Sequence, residues 1–220
     1  EHILFGLKKG LDVICEKPVV VNPESINRLK AAEDKAGKRV STIMQLRLHP
    51  VIMALKAKLL NSTNENRCRV DVKYITARGR WYHNSWKGDI NKSGGIATNI
   101  GIHLFDLLLW LFGDVHESIV TSRSKEKITG QLKLQHADVN WMLCIDENEL
   151  PVEIRKEEKR VFRSFLINDE LIDFSEGAMD LHTASYNEVL TGKGFGLQIT
   201  EPSVKLVEAL KNQPVVELAK

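Results

Sequence analysis

The chain has 220 residues, of which 43% are hydrophobic and 27% charged, and a formal net charge of +2. That balance fits a soluble globular protein with a sizeable core and excludes disordered and fibrous classes. The weak charge gives no reason to expect a polyanion, so no nucleic-acid partner is predicted.

The first residues, Glu1 to Gly10, have helical periodicity and a glycine stop, followed by a short apolar strand from Leu11 to Cys15. Glu16-Lys17-Pro18 comes next, then Asn22-Pro23-Glu24-Ser25, which opens an amphipathic helix that runs to Gly37. Arg39 to Leu46 reads as a second strand. Helix, strand, helix, strand is the rhythm of a parallel α/β sheet, and residues 1–48 are predicted to be the closing portion of a Rossmann-type domain. At Arg47-Leu48-His49-Pro50 the organisation changes. A helix to Leu60 and a polar loop, NSTNEN, lead into a strand-rich region at 69–78, 118–122, 131–136, 140–145, 161–167 and 170–174. Residues 49–220 are therefore expected to form a mixed or antiparallel sheet domain with helices on one face, giving an α/β plus α+β chain. Helices are expected at 180–190 and 201–212, the last packing back on the Rossmann part. The mixed-sign run Arg155 to Arg163 reads as a solvated strand or hairpin surface.

Three cysteines, Cys15, Cys68 and Cys144, are far apart and odd in number, which signals neither a disulfide framework nor a metal site and fits a reducing cytoplasm. The apolar run Ile102 to Phe112, broken by His103 and Asp106, is too short to span a bilayer, so no membrane partner is expected.

Three stretches have the residue types for chemistry. In GGIATNIGIHLFD, Gly94 to Asp106, Thr98 or Asn99 can cap a helix to Phe112, placing Asn99, His103 and Asp106 on one side. An imidazole between an amide and a carboxylate can handle a proton, although a lone histidine on an apolar helix also serves as a satisfied core residue. Lys17, at the carboxyl end of a strand where ligands of open α/β sheets bind, can donate to a substrate hydroxyl; the Lys-Pro pair also reads as a plain surface turn, with the peptide cis or trans. The loop Arg78 to Ser93 mixes arginine and lysine with two tryptophans and a tyrosine. It suits an anionic ligand with a flat ring, or merely covers a sheet edge. In Asp180-Leu181-His182-Thr183 the histidine either reaches the site or merely caps a helix, and the helix cap is the favoured reading.

CEKPVVVNPE at Cys15 to Glu24, QLRLHP at Gln45 to Pro50 and GGIATNIGIHLFD together resemble the Gfo/Idh/MocA oxidoreductase family. GRWYHNSWKGDINKSGGIATNIGIH and DLHT are most similar to its WlbA/WbpB branch, the UDP-N-acetyl-2-amino-2-deoxyglucuronate 3-dehydrogenases. The resemblance implies NAD as cofactor, a UDP-sugar as substrate and a homo-oligomer, dimer or tetramer, built on the open sheet face. It implies oxidation of a C3 hydroxyl in lipopolysaccharide or surface-polysaccharide biosynthesis, with Lys17 and His103 flanking the reacting carbon and Glu16 and Pro18 beside the nicotinamide. Arg80, Trp81, Lys87 and Asn99 are the implied substrate-binding residues. Where the family commonly has an aspartate four residues before the histidine, this chain has Asn99, which leaves a Lys-His pair with an amide neighbour. The competing readings are a free-sugar or inositol dehydrogenase of the same family and a non-catalytic module that lost its cofactor site.

The family's phosphate-binding GxGxxG turn has no counterpart on a strand-to-helix turn of this sequence; Gly192-Lys193-Gly194-Phe195-Gly196 lies late, between two expected helices. The sequence is accordingly expected to be a truncated or incomplete part of the enzyme and inactive alone, since the pyrophosphate would lack its glycine turn and helix N-terminus. The 220-residue chain by itself should bind NAD more weakly than micromolar in calorimetry, and a micromolar dissociation constant would contradict this expectation.

Overall fold

The structure is a computed structural model in which residues 1–61, 67–177 and 179–217 are described. Apart from Asn61, the polar loop expected at 61–66 lies outside the described residues.

Helix α1 (His2–Lys8) leads to β1 (Val13–Cys15). Helix α2 (Glu24–Ala36) starts where Asn22 Oδ1 accepts the Glu24 amide at 2.9 Å and stops at Gly37, whose φ of 59° suits a residue without a Cβ. The chain returns in β2 (Val40–Thr42), parallel to β1 with Val13 opposite Val40. The strand expected to reach Leu46 ends at Thr42, and Gln45–Leu48 forms a 3-10 turn. The Arg47 amide bonds the Met44 carbonyl at 3.1 Å and the His49 amide the Leu46 carbonyl at 3.2 Å, closing the turn that takes the chain out of the sheet. A third strand, β9 (Phe195–Gly196), adds antiparallel to β2, so the late glycine run contributes a sheet edge.

Helix α3 (Pro50–Leu60) leads into a six-stranded mixed sheet. Its strands are β3 (Cys68–Thr76), β4 (Val115–Arg123), β5 (Lys127–Leu134), β6 (Ala137–Cys144), β7 (Val161–Ile167) and β8 (Glu170–Asp173). They lie in the order β4-β5-β6-β3-β7-β8, and within the sheet only β3 and β6 run parallel. One face is polar over Gln131, Asn140 and Asp71, hydrogen-bonded across three strands, and at its other end buries a small apolar cluster of Ile75, Ala77, Cys144 and Leu150 that Ile154 of the segment after β6 covers. The other buries Val70, Val72, Tyr74, Leu132, Val139, Trp141 and Phe165.

The loop after β3 folds into three short helices, α4 (Arg80–Asn84), α5 (Ile90–Ser93) and α6 (Gly95–Asn99), and then α7 (Gly101–Phe112) covers the apolar face. A single helix capped by Thr98 or Asn99 was expected. Instead the helix breaks at Ile100, and Thr98 Oγ1 donates back to the Gly94 carbonyl at 3.0 Å. The run Arg155 to Arg163 also divides: α8 (Val152–Lys156) ends at its start, and Arg163 lies half-buried inside β7 rather than on a solvated surface. Helices α9 (Leu181–Leu190) and α10 (Leu197–Asn212) close the fold; α10 packs on α7 and α2, where Lys30 pairs with Glu201. No single helix among the described residues is long and apolar enough to cross a membrane.

Helix α7 sits close to the sheet: Phe105 meets Trp141 edge-on at 5.1 Å, and a Cβ on Gly101 would lie 2.7 Å from Leu143 Cδ2 and 3.0 Å from the Phe105 ring. Gly101→Ala should therefore destabilise the fold by about 1–3 kcal/mol through overpacking, read as a lower urea midpoint at unchanged m-value.

Candidate active site

Lys17 leaves the carboxyl end of β1 through a cis Lys17–Pro18 peptide and donates from Nζ to the Asn99 carbonyl at 2.6 Å. That contact ties the β1 turn to the last residue of α6. The Asn99 side chain points elsewhere, its Nδ2 donating to the buried Tyr82 hydroxyl at 3.2 Å. One turn into the next helix stands His103, only 8% exposed.

Both candidate residues have depressed proton affinity, for the same reasons. Burial pulls the Lys17 ammonium down to about 8; Glu16 opposes this, while Lys87, Arg78 and Arg163 add to it. Burial, then the charges of Lys17, Arg163 and His182, hold the His103 imidazole well below 6.5. At neutral pH the site therefore combines a protonated lysine with an uncharged imidazole, a hydrogen-bond donor next to a proton acceptor.

Asp106 was expected to hold the imidazole from the other side. It does not: its two oxygens take a fork from Arg47, Nε to Oδ2 and Nη2 to Oδ1, both at 2.7 Å. Burial raises the Asp106 pKa and Arg47 opposes that rise. The Arg47 guanidinium lies between the Trp110 and Phe195 rings, at 5.4 and 5.2 Å from their centroids.

Of the loop residues predicted to bind substrate, Lys87 is half-buried and its charge reaches Lys17, with Nζ 5.8 Å from the Trp81 centroid and 5.9 Å from that of Trp86. Trp81 is 53% exposed and also takes the Arg78 guanidinium at 5.9 Å. Arg80 is exposed and forms no ion pair among the described residues. Glu16 and Pro18 flank Lys17, and Glu16 Oε1 meets His182 Nε2 at 3.3 Å, which brings the DLHT segment to the same place. Sequence reasoning missed Arg78, Arg163 and Tyr82 as neighbours of this pair. A signal existed for Arg163, because it shares strand parity with core residues Phe165 and Ile167.

Comparison with known proteins places this arrangement. Residues 1–44 match the oxidoreductase family's NAD-binding Rossmann fold, and residues 66–146 match its C-terminal alpha/beta domain. The fold is thus that of a two-part oxidoreductase with an NAD-binding half. A crystal structure of the WlbA (WbpB) dehydrogenase from Thermus thermophilus, in complex with NAD and UDP-GlcNAcA, superimposes with a TM-score of 0.94 at 42% identity, covering 99% of this chain and 70% of that one. The chain belongs to the Gfo/Idh/MocA oxidoreductase family. Among curated relatives, the glucose-6-phosphate 3-dehydrogenase of Bacillus subtilis is 27% identical over 138 residues, 60% of this chain and 38% of the relative. The D-glucoside 3-dehydrogenase of Escherichia coli is 29% identical over 136 residues, 60% of this chain and 37% of the relative. The chain thus spans little more than a third of the length of these two relatives.

The Arg47–Asp106 pair predicts a specific stability pattern. Asp106→Ala, which strands a buried guanidinium, should cost about 3–5 kcal/mol in chemical denaturation, whereas Arg47→Met with Asp106→Leu should cost far less than the sum of the single changes.

Proposed function

We propose that the protein is an NAD-dependent dehydrogenase that oxidises the C3 hydroxyl of a UDP-N-acetylhexosaminuronate, with residues 1–48 as the cofactor half and 49–220 as the substrate half. The observation that carries the reaction type is the buried, uncharged His103 beside a lysine at the carboxyl end of a parallel strand. Identity of 42% to a dehydrogenase crystallised with NAD and UDP-GlcNAcA supports the substrate class. Two curated relatives named as 3-dehydrogenases support the position oxidised. The reading sets the protein in surface-polysaccharide synthesis in the cytoplasm, as a homo-oligomer. The free-sugar or inositol alternative is supported by inositol 2-dehydrogenases of Klebsiella pneumoniae, 28% identical over 54% of the chain, a weaker likeness.

The residues present fit the nicotinamide end of the cofactor. Glu16, Lys17 and Pro18 line the carboxyl edge of β1, and Lys17 reaches across to the segment that carries His103. When bound, NAD supplies the hydride acceptor. The protein's own part is to handle the proton: His103 takes it from the sugar hydroxyl, and its low basicity keeps it free to do so at neutral pH. Lys17 spends one N–H on the Asn99 carbonyl and has two more for the same sugar oxygen, where its charge favours developing alkoxide character. Asn99, tied to Tyr82, fixes the end of α6 that holds Lys17.

In the full-length protein, His103→Ala and Lys17→Ala should each lower kcat for UDP-GlcNAcA by about 10²–10⁴-fold, measured as NADH absorbance. Unchanged rates in both would refute the site. The pH profile follows from the shifts. Activity needs neutral His103, so it falls only as pH drops through a pKa well below 6.5; it needs charged Lys17, so it falls again as pH rises past about 8. Lys17→Arg should remove the alkaline limb.

A further inference from the structure

Two half-buried arginines outside the Lys17–His103 pair have a buried Nε without a hydrogen-bond partner and no carboxylate beside them among the described residues. Arg78 follows β3 with its amide bonded to the Ile145 carbonyl at 2.9 Å, and it continues the parity of Val70, Val72 and Tyr74, the residues that face the core. Arg163 lies on the neighbouring strand β7 in register with Tyr74 and shares parity with buried Phe165 and Ile167. Both side chains therefore leave the sheet on its helix-covered face, the face that carries His103. The Arg163 guanidinium lies 4.8 Å from the Tyr74 ring centroid, and Nη2 donates to Thr76 Oγ1 at 3.4 Å.

Neither arginine has a carboxylate within ion-pair distance among the described residues, nor does Lys17 or Lys87. The Nε atoms of Arg78 and Arg163 are both buried without a hydrogen-bond partner. An N–H of a charged guanidinium left unpaired in the interior is costly, and native proteins keep such groups where something binds. Arg47, with the same side chain and greater burial, shows the contrast, since it is fully engaged in a fork with Asp106. Two guanidinium groups, one just past the end of β3 and one on the neighbouring β7, each with an unpartnered Nε, offer planar donors of the kind that match a carboxylate.

We propose that Arg78 and Arg163 form a carboxylate clamp beside the Lys17–His103 pair, so that they select a sugar acid over the corresponding neutral sugar. The proposal deepens the dehydrogenase reading and rests on it for the sugar. It differs from a diphosphate site, because the arginines' charges act on Lys17, at the reacting end of the substrate. A carboxylate held there also offsets the repulsion among four neighbouring cations.

Binding rather than turnover tests it, by calorimetry on the full-length protein. UDP-GlcNAcA is compared with UDP-GlcNAc, and D-glucuronate with D-glucose, each pair differing only in the acid. The wild type should favour the acid by at least about tenfold, as expected for charge-assisted bidentate contacts, and Arg78→Met and Arg163→Met should bring the ratio towards one. Arg163→Lys, which keeps the charge and loses the fork, should give an intermediate ratio and guards against misfolding of the methionine variant. A wild type without preference, or a ratio that survives both methionine substitutions, overturns the clamp. A preference for glucuronate over glucose with no binding of either UDP-sugar would sink the nucleotide-sugar reading and leave the clamp standing.

Discussion

The forked ion pair between Arg47 and Asp106 is the joint on which the site depends. Arg47 comes from the 3-10 turn that ends the first sheet's chain segment, and Asp106 from α7 in the second half. Two bonds of 2.7 Å, buried between Trp110 and Phe195, leave α7 little freedom to rotate or slide against that turn. His103 is one turn earlier on the same helix, so the pair fixes where the imidazole faces. A buried pair is weak evidence for added stability but good at setting register. Here the register it sets is that of a histidine against a lysine from another part of the chain. The Lys17–Asn99 contact is a second fixed point, at the end of α6 and two residues before α7 begins.

With the geometry held, the chemistry follows from burial and charge acting in one direction. Desolvation lowers the proton affinity of both Lys17 and His103, and neighbouring cations lower both further. Because an ammonium starts far above neutrality and an imidazole near it, the same push produces opposite outcomes at pH 7. The lysine remains charged and the histidine becomes neutral. An aspartate at position 99 would oppose this by stabilising the imidazolium. Asn99 keeps the segment's polar contacts without adding a negative charge, and its amide is committed to Tyr82.

Much of this was legible in the sequence because it rests on local signals. The Asn22-Pro23 start and Gly37 stop give α2, and alternation gives the sheet strands to within a few residues. EKP and GGIATNIGIHLFD place Lys17 and His103 on recognisable segments. What failed depends on tertiary contact. A helical spacing puts Asp106 near His103 equally well whether or not Arg47 claims the carboxylate, and residue 47 lies on a different element. The strand expected through Leu46 ended early because the backbone closes into the 3-10 turn at Gln45–Leu48, which puts Arg47 against Asp106. Composition hid Arg163: within RKEEKRVFR it looks like one more surface charge, and only the parity of β7 shows that it faces inward.

The last of these misses has a general reason. A folded domain is most consistent when every buried polar group is satisfied within the chain, and departures from that rule concentrate where a ligand completes the structure. Most buried or half-buried groups in this fold obey it: Ser185, Ser203, Thr98 and Arg47 all find partners nearby. The exceptions among the cations gather at one end of the second sheet, on the side of His103 and within range of Lys17. Repulsion among like charges makes that cluster a source of instability on its own, yet it adds to burial in depressing the pKa values on which the proposed proton transfer relies. An anion arriving with the substrate would relieve the repulsion and raise the lysine's proton affinity as it binds. The charge state best suited to polarising a hydroxyl would then be strongest when the hydroxyl is present.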